Sequence, residues 1–143
     1  MAELKIERHF KADPAMVFDF VTKPEHLAKW WGPEGMTLPQ CALDFTKPGR
    51  WFSVMQNSDG KEHKVSGQIT KVDPPNSVGF TWAWHDENDV RGNESFVTLT
   101  ISAGQGGGTD FTLHHQQLPS TEAADNHVIG WTSSLRKLER MGN

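Results

Sequence analysis

Two histidines are spaced so that they could lie on an otherwise apolar surface. His115 follows Phe111 and Leu113 at two-residue intervals, and residues at that interval share one face of a β-strand. By the same rule, His63 is in phase with Val65. An imidazole on such a face could orient a ligand or act as a general base with a pKa near about 6.5. The alternative is a buried histidine bonded to backbone or water.

Aromatic side chains dominate the same predicted surface. The sequence contains eight Phe and six Trp but no Tyr. In Phe80-Thr81-Trp82-Ala83-Trp84, the three aromatic residues share one strand face. Each Trp carries roughly 150 to 250 Å² of largely apolar surface and one N–H that needs a partner. These residues could therefore form either plain core or the wall of a ligand cavity, and Ser95 is predicted to join them.

Two adjacent tryptophans stand where a short predicted helix ends. Leu27, Trp30 and Trp31 follow helical spacing, and Gly32-Pro33 ends the helix. This spacing directs Trp30 towards the sheet and leaves Trp31 nearer the rim. We expect Trp30 to be structural and Trp31 to stand at a cavity mouth, so that replacing Trp31 alters ligand entry more than stability.

Other motifs lack the residues that their chemistry requires. His114 and His115 point to opposite faces of a strand, and no cluster of His, Cys or acids supplies three ligands, so we expect neither metal nor cofactor. The glycine-rich run 104–108 lacks a P-loop lysine and precedes a strand. No serine occupies a nucleophile elbow, and Cys41 has no base beside it. The acidic segment 85–89 is expected to be solvated, or else to gate a cavity or meet a partner.

Length and composition limit the class of protein. A chain of 143 residues fits one domain, spanning 1–143, with its own hydrophobic core. One cysteine excludes an internal disulfide, and no secretory or membrane-inserting segment is evident, so we expect a cytoplasmic protein without a membrane partner. The net charge is −4 with both signs dispersed, which argues against nucleic-acid binding.

The elements that must position these side chains follow a simple order. Alternation from Leu4 to Phe10 predicts a strand, and Asp13-Pro14 and Lys23-Pro24 each start a short helix. Turn residues between Met36 and Gln117, including a hairpin signal of Asp followed by Gly, divide that region into six strands. Residues 120–140 predict one long helix. Its apolar stripe consists of Val128, Trp131, Leu135 and Leu138.

The predicted order β-α-α-β6-α indicates an α+β fold. A seven-stranded antiparallel sheet must cover its apolar face with the long C-terminal helix, and a sheet that curves around one helix tends to leave a hollow. One strand is ambiguous, because either Trp51, Ser53 and Met55 or the alternating Phe52 and Val54 could face that helix.

Short motifs along the whole chain resemble one known family. They are Val17-Phe18-Asp19-Phe20, Trp30-Trp31-Gly32-Pro33, Gly49-Arg50-Trp51 with Met55, Asp59-Gly60 then Gly67, Pro74-Pro75 before Phe80-Thr81-Trp82, Ser95-Phe96-Val97-Thr98-Leu99, Gly108-Thr109, and Gly130-Trp131 with Leu135. In these motifs the sequence resembles the START-like (SRPBCC, helix-grip) superfamily, and within it the branch similar to the C-terminal domain of activators of the heat-shock protein 90 ATPase. The resemblance implies a helix-grip fold around a central cavity, with Trp51, Ser53 and Met55 facing inward. It does not choose a function, since the superfamily includes ligand carriers, aromatase/cyclases, resistance proteins and co-chaperone domains.

Three functions from different classes fit the sequence. The favoured one is binding of a hydrophobic or aromatic small molecule, with no catalysis assigned, in a cavity of roughly 300 to 1,000 Å³. The second is an enzyme of the cyclase, dehydratase or hydrolase kind that uses His115 or His63, although no second acid or base can be placed beside them. The third is a chaperone-interacting domain, but the eukaryotic activators carry an additional N-terminal domain for which this chain has no room. A homodimer is left open.

The residues expected to contact the ligand share the predicted inner face. They are Trp31, Trp51, Met55, Val65, Trp82, Trp84, Val97, Leu99, Leu113, His115, Trp131 and Leu135.

Overall fold

The chain begins with one strand and two short helices, continues as a long meander and ends in a long helix. A computed structural model describes all residues, 1–143. The elements are β1 (Ala2–Phe10), α1 (Pro14–Thr22), α2 (Pro24–Trp30), β2 (Thr37–Ala42), β3 (Gly49–Gln56), β4 (Glu62–Asp73), β5 (Ser77–Trp84), β6 (Ser95–Ala103), β7 (Thr109–Leu118) and α3 (Thr121–Gly142). The predicted order β-α-α-β6-α is confirmed.

All seven strands form one antiparallel sheet in the order β1-β7-β6-β5-β4-β3-β2. Strands β2 to β7 follow one another as a meander, and β1 pairs with β7 at the far edge. Helix α3 packs across the inner face of this sheet and contacts β1 and β7. The protein therefore has the predicted α+β helix-grip fold.

Local sequence signals account for where the helices begin and the strands turn. The Asp13 carboxylate accepts a hydrogen bond from the Met16 backbone N–H at 2.9 Å, which caps α1. Ser120 caps α3 in the same way, accepting from Ala123 N–H at 3.1 Å. Between β3 and β4, Gly60 has φ +84°, a conformation that favours glycine in a tight turn.

The apolar core lies between the inner face of the sheet and the three helices. On α3 the buried stripe includes Trp131, Leu135 and Leu138. The prediction that Val128 belongs to this stripe is wrong, because its side chain is 37% exposed. His127, one helical turn before Trp131, takes the inward position instead. No helix in the structure is long and apolar enough to cross a membrane.

The ambiguous strand β3 presents its aromatic and sulfur-containing residues to the core. Trp51, Ser53 and Met55 are each at most 3% exposed and lie on the inner face, as the family resemblance implies. Phe52 lies on the opposite face, where the ammonium of Lys64 stands 5.7 Å from its ring centroid.

Gly67 has no paired residue on β5, although its neighbour Ser66 pairs with Ala83. A Cβ atom at this position would lie 2.0 Å from the carbonyl oxygen of Thr81. That carbonyl accepts the indole N–H of Trp51 at 3.1 Å, while the Thr81 hydroxyl accepts the backbone N–H of Gln68 at 2.8 Å. Because Gly67 has no side chain, β4 and β5 can approach closely here. The Thr81 carbonyl is thereby positioned to hold the Trp51 ring in place.

Candidate functional site

A cavity of about 460 Å³ lies between the sheet and the middle of α3. Helix α3, the loop after α2 and three neighbouring strands supply its walls. The lining residues are Trp31, Gly32, Pro33, Met55, His63, Trp82, Trp84, Asn126, His127, Gly130, Trp131 and Ser134. None of these side chains carries a permanent charge, so the cavity is apolar with a few neutral polar groups.

Strand alternation and helical spacing explain how these residues converge. Trp82 and Trp84 are two residues apart on β5 and therefore share the inner face. Met55 on β3 is paired directly with His63 on β4. On α3, the positions 127, 130, 131 and 134 follow the i, i+3, i+4, i+7 pattern of one helix face.

The structure brings part of the predicted ligand set to this cavity. Trp31, Met55, Trp82, Trp84 and Trp131 line it, together with His63, the second histidine candidate. The other predicted residues are buried in the core and do not line the cavity. They are Trp51, Val65, Val97, Leu99, Leu113, His115 and Leu135. Strand parity identifies the inner face but not the portion of it that the helices leave uncovered.

Four lining residues on α3 were not anticipated: Asn126, His127, Gly130 and Ser134. Helical spacing around Trp131 could have identified three of them, because positions 127, 130 and 134 lie on the same side of the helix as Trp131. Gly32 and Pro33, read in the sequence as a helix end only, also reach the cavity.

Trp31 lies inside an aromatic cluster, and the prediction that it stands at the rim is wrong. It is 3% exposed, and its N–H donates to the Ser53 hydroxyl at 2.9 Å. Six rings surround it with centroids 5.5 to 6.3 Å away, namely Trp30, Phe45, Trp51, Phe80, Trp82 and Trp131. The backbone becomes extended at Trp31, with ψ 134°, as α2 ends. This change of direction places its ring in the interior.

Trp30 has the structural role predicted for it. Its side chain is fully buried, and its indole N–H donates to the Phe20 carbonyl oxygen at 2.8 Å. The bond fastens α2 to the end of α1.

His115 is held in a continuous chain of buried hydrogen bonds. Its Nδ1 accepts the indole N–H of Trp131 at 3.1 Å, so the proton of the neutral ring resides on Nε2, which lies 2.7 Å from the Ser95 hydroxyl. That hydroxyl donates in turn to the Trp82 carbonyl at 3.2 Å. Every polar atom of the chain is thereby satisfied without a charge.

Burial, assisted by the nearby His127 and His114, lowers the pKa of His115 to about 3. Its side chain is fully shielded from solvent. The prediction of a general base with an ordinary pKa is therefore wrong for His115, which stays neutral near pH 7 and is bonded on both nitrogens.

His127 lines the cavity but is also engaged on both sides. Its Nδ1 donates to the Ala123 carbonyl at 2.6 Å, and its Nε2 accepts the indole N–H of Trp84 at 3.0 Å. Burial lowers the pKa of His127, an effect that the bond to Ala123 opposes in part. His63 differs, because it lines the cavity with only an edge contact to the Trp84 ring at 6.5 Å.

One tryptophan in the wall has an unused hydrogen-bond donor. The indole N–H groups of Trp30, Trp31, Trp51, Trp84 and Trp131 all have acceptors. The N–H of Trp82 is buried without a partner. Buried donors in folded proteins are nearly always paired, so this group identifies a polar position that the protein itself does not satisfy.

No group of three His, Cys, Asp or Glu side chains is arranged to hold a metal ion. The polar side chains that line the cavity carry imidazole, amide, hydroxyl and indole groups.

Comparison with known proteins supports the fold and identifies the family. Residues 11–142 match the family described as Activator of Hsp90 ATPase homolog 1-like protein. The crystal structure of the AHSA1 protein from Silicibacter pomeroyi is 48% identical, with a TM-score of 0.94 over 98% of this chain and 96% of that chain. No functionally curated protein shows significant sequence similarity.

Two more distant structures share the fold. A protein from Chromobacterium violaceum is 21% identical, with a TM-score of 0.86 over 99% of this chain and 98% of that chain. A protein from Mycobacterium smegmatis is 24% identical, with a TM-score of 0.80 over 99% and 90% of the two chains. The chain therefore belongs to the family of Activator of Hsp90 ATPase homolog 1-like proteins, within the START-like, helix-grip superfamily.

Proposed function

We propose that the protein binds a neutral, flat aromatic or hydrophobic small molecule in the cavity between the sheet and α3, and that the molecule carries a hydrogen-bond acceptor for Trp82. The observation that carries this proposal is that Trp82, whose ring lines the cavity, has a buried indole N–H without a partner. The volume of about 460 Å³ falls within the range typical of small-molecule sites.

The unpartnered donor favours a ligand with a carbonyl or similar oxygen. A buried polar group without a partner costs roughly 1 to 3 kcal/mol, and this free energy is recovered when an acceptor reaches it. Trp31, Trp84 and Trp131 line the same space, and aromatic rings gain additional free energy from offset or edge-to-face contacts with another ring.

The charge of the lining favours a neutral ligand. No Asp, Glu, Lys or Arg lines the cavity, and His127 is kept neutral by burial. A charged molecule would leave water without gaining a counter-charge, which is strongly unfavourable. His63 and Asn126 remain as partners for further polar groups of the ligand.

The same geometry supports binding over catalysis in this cavity. General acid–base chemistry needs a group that can exchange a proton with the bound molecule. His127 uses both ring nitrogens within the protein, and the donor of Trp82 does not ionise in the physiological range. His63 is then the one remaining candidate for proton transfer, and no second acid or base stands beside it in the cavity.

Titration of the intrinsic tryptophan fluorescence with neutral aromatic ketones, quinones and flavones tests the proposal. Gly130 offers a matched pair of variants, because a Cβ there would meet only Pro33 Cγ at 3.9 Å. We expect Gly130→Ala to bind as the wild type does and Gly130→Leu to weaken binding about tenfold or more, since leucine would occupy the cavity. The proposal is wrong if no compound perturbs the fluorescence, or if the two variants bind equally well.

A further inference from the structure

A second hollow, of about 660 Å³, lies on the opposite face of the sheet, over β3, β4 and β5. It shares no residue with the ligand cavity. His85, the first residue of the acidic segment 85–89, lines this outer hollow. The sequence led us to expect that the segment is solvated, gates a cavity or meets a partner. The side chain of His85 is only 9% exposed, which is unusual for the first residue of a polar connection.

Ser66 and His85, which line this hollow, and the neighbouring Asp89 are arranged as nucleophile, base and orienting acid. The hydroxyl of Ser66 lies 2.7 Å from Nε2 of His85, and Nδ1 of the same ring lies 2.8 Å from a carboxylate oxygen of Asp89. A carboxylate only accepts, so Nδ1 carries the proton and Nε2 is free to accept from the serine. This is the order of contacts that activates serine in hydrolases of unrelated folds.

The backbone holds these groups in place. The His85 N–H donates to the Lys64 carbonyl at 2.9 Å, which continues the pairing beyond the end of β5. Asp89 adopts φ +62°, a conformation that aspartate tolerates better than most residues, in a turn that returns its carboxylate to His85. The Lys64 ammonium lies 3.1 Å from that carboxylate.

A guanidinium stands beside the serine. Nε of Arg91 donates to the Ser66 hydroxyl oxygen at 3.0 Å, and a second nitrogen of the same group donates to the Ser66 carbonyl at 3.1 Å. A fixed cation at this position stabilises negative charge that develops on or next to the hydroxyl oxygen. Arg91 is anchored from the other side by Glu94 at 3.0 Å.

We propose that Ser66, His85 and Asp89, with Arg91, form a hydrolytic site for small esters that carry a carboxylate on the acyl group. The charge preference comes from Arg50, which lines the hollow and forms no ion pair, whereas Lys64 and Arg91 are paired with Asp89 and Glu94.

The reaction is an acyl transfer in two steps. The Ser66 oxygen bonds to the ester carbonyl carbon while its proton passes to Nε2 of His85, and the carbon–oxygen bond to the alcohol breaks as the alcohol takes that proton. Water then attacks the acyl-serine, gives a proton to His85 and releases the acid, after which the proton returns to Ser66. The products are one acid and one alcohol. Asp89 is a positioning residue in this sequence.

Covalent labelling of the intact protein is the first test. A fluorophosphonate probe reacts with activated serines, and we expect one adduct per chain, located at Ser66 by peptide mapping. Labelling should be lost in Ser66→Ala and retained in Ser102→Ala, a matched exposed serine on β6 outside the hollow. An unlabelled wild-type protein, or an adduct elsewhere, overturns the proposal without requiring any variant to fold.

Hydrolysis of 4-nitrophenyl hydrogen succinate and 4-nitrophenyl acetate is the second test. We expect Ser66→Ala to lose at least about 90% of the hydrolysis, and His85→Ala to recover activity with added imidazole, which a merely structural histidine would not do. Arg50→Gln should lower kcat/KM for the charged ester about tenfold more than for the neutral one. Hydrolysis that is unchanged in correctly folded Ser66→Ala contradicts the site, whatever the outcome of ligand binding in the inner cavity.

Discussion

Trp131 on α3 donates its indole N–H to Nδ1 of His115 on β7 across 3.1 Å. The bond joins the long helix to the sheet and fixes the tautomer of the histidine, with Nε2–H directed to Ser95. His127, one turn earlier on α3, is fixed in the opposite tautomer by Ala123 and by a second tryptophan of the cavity wall. His115 and His127 are thus neutral and oriented before any ligand arrives.

These two histidines should show opposite tautomers in solution. At pH 7, long-range ¹H–¹⁵N correlation spectra are expected to show Nε2–H for His115 and Nδ1–H for His127, because an indole N–H occupies the other nitrogen in each case. Identical tautomers, or titration of His115 near pH 6.5, would be inconsistent with the hydrogen bonds described.

Stability should fall as the pH is lowered through the histidine range. The pKa of His115 is about 3 in the folded protein against an ordinary 6.5. Between these two pH values, His115 is therefore protonated in the unfolded chain but not in the folded protein. The contribution is complete above pH 6.5 and is lost between pH 6.5 and 3, by up to about 1.4 kcal/mol per pH unit. The pKa of His127 is shifted downward too and adds to the same trend.

Urea unfolding at pH 7.5 and pH 5.0 measures this effect. The difference in unfolding free energy between the two pH values should be smaller in His115→Gln than in the wild type, because glutamine does not titrate. Equal differences in the two proteins would show that His115 does not govern the acid sensitivity.

Replacing Trp31 should affect stability strongly, contrary to what its sequence position indicates. Trp31 is 3% exposed and donates to Ser53, so Trp31→Ala is expected to cost about 3 to 5 kcal/mol of unfolding free energy. Trp31→Phe should cost less, because it retains a ring in the cluster. Chemical denaturation of both variants gives the comparison. A loss of unfolding free energy below about 1 kcal/mol in Trp31→Ala would contradict a structural role and favour a position at the cavity rim.

Gly67 should not tolerate any side chain. Its Cβ would meet the Thr81 backbone oxygen at 2.0 Å, and a backbone atom in a central strand cannot move away, so Gly67→Ala is expected to cost about 3 kcal/mol or more. Gly92→Ala is the matched control, since its Cβ would lie 3.6 Å from the Trp84 oxygen, an ordinary contact. Thermal unfolding should separate the two variants clearly; similar melting temperatures would show that the strands can part at Gly67.

The order of elements could be predicted because it depends on local signals. Two-residue alternation identifies the inner faces of the strands, and Asp13 and Ser120 mark helix starts by direct capping bonds. The extent of the cavity could not be predicted in this way, because it depends on where α3 rests along the sheet. Residues such as Leu135 fill the inner face at one place, while Gly130 leaves it open at another.

The remaining errors concern single side chains whose direction is set by a change of backbone or by a distant partner. Trp31 turns inward because α2 ends in an extended residue, which helical spacing does not reveal. Ser66, His85 and Asp89 come together because the chain beyond β5 turns back on itself at a bridge between His85 and Arg91. His85 and Arg91 then bond to Lys64 and Ser66 of β4. None of these residues forms a recognisable motif with its neighbours in sequence.

The indole N–H resonance of Trp82 provides the most direct test of ligand binding in the cavity. It can be assigned by its absence in Trp82→Phe, which removes the donor while keeping an aromatic ring. When a neutral aromatic ketone saturates the protein, this resonance should move downfield as the N–H gains an acceptor, whereas that of Trp30, already bonded to Phe20, should stay in place. A Trp82 resonance that does not move while the ketone is bound would contradict the proposed function.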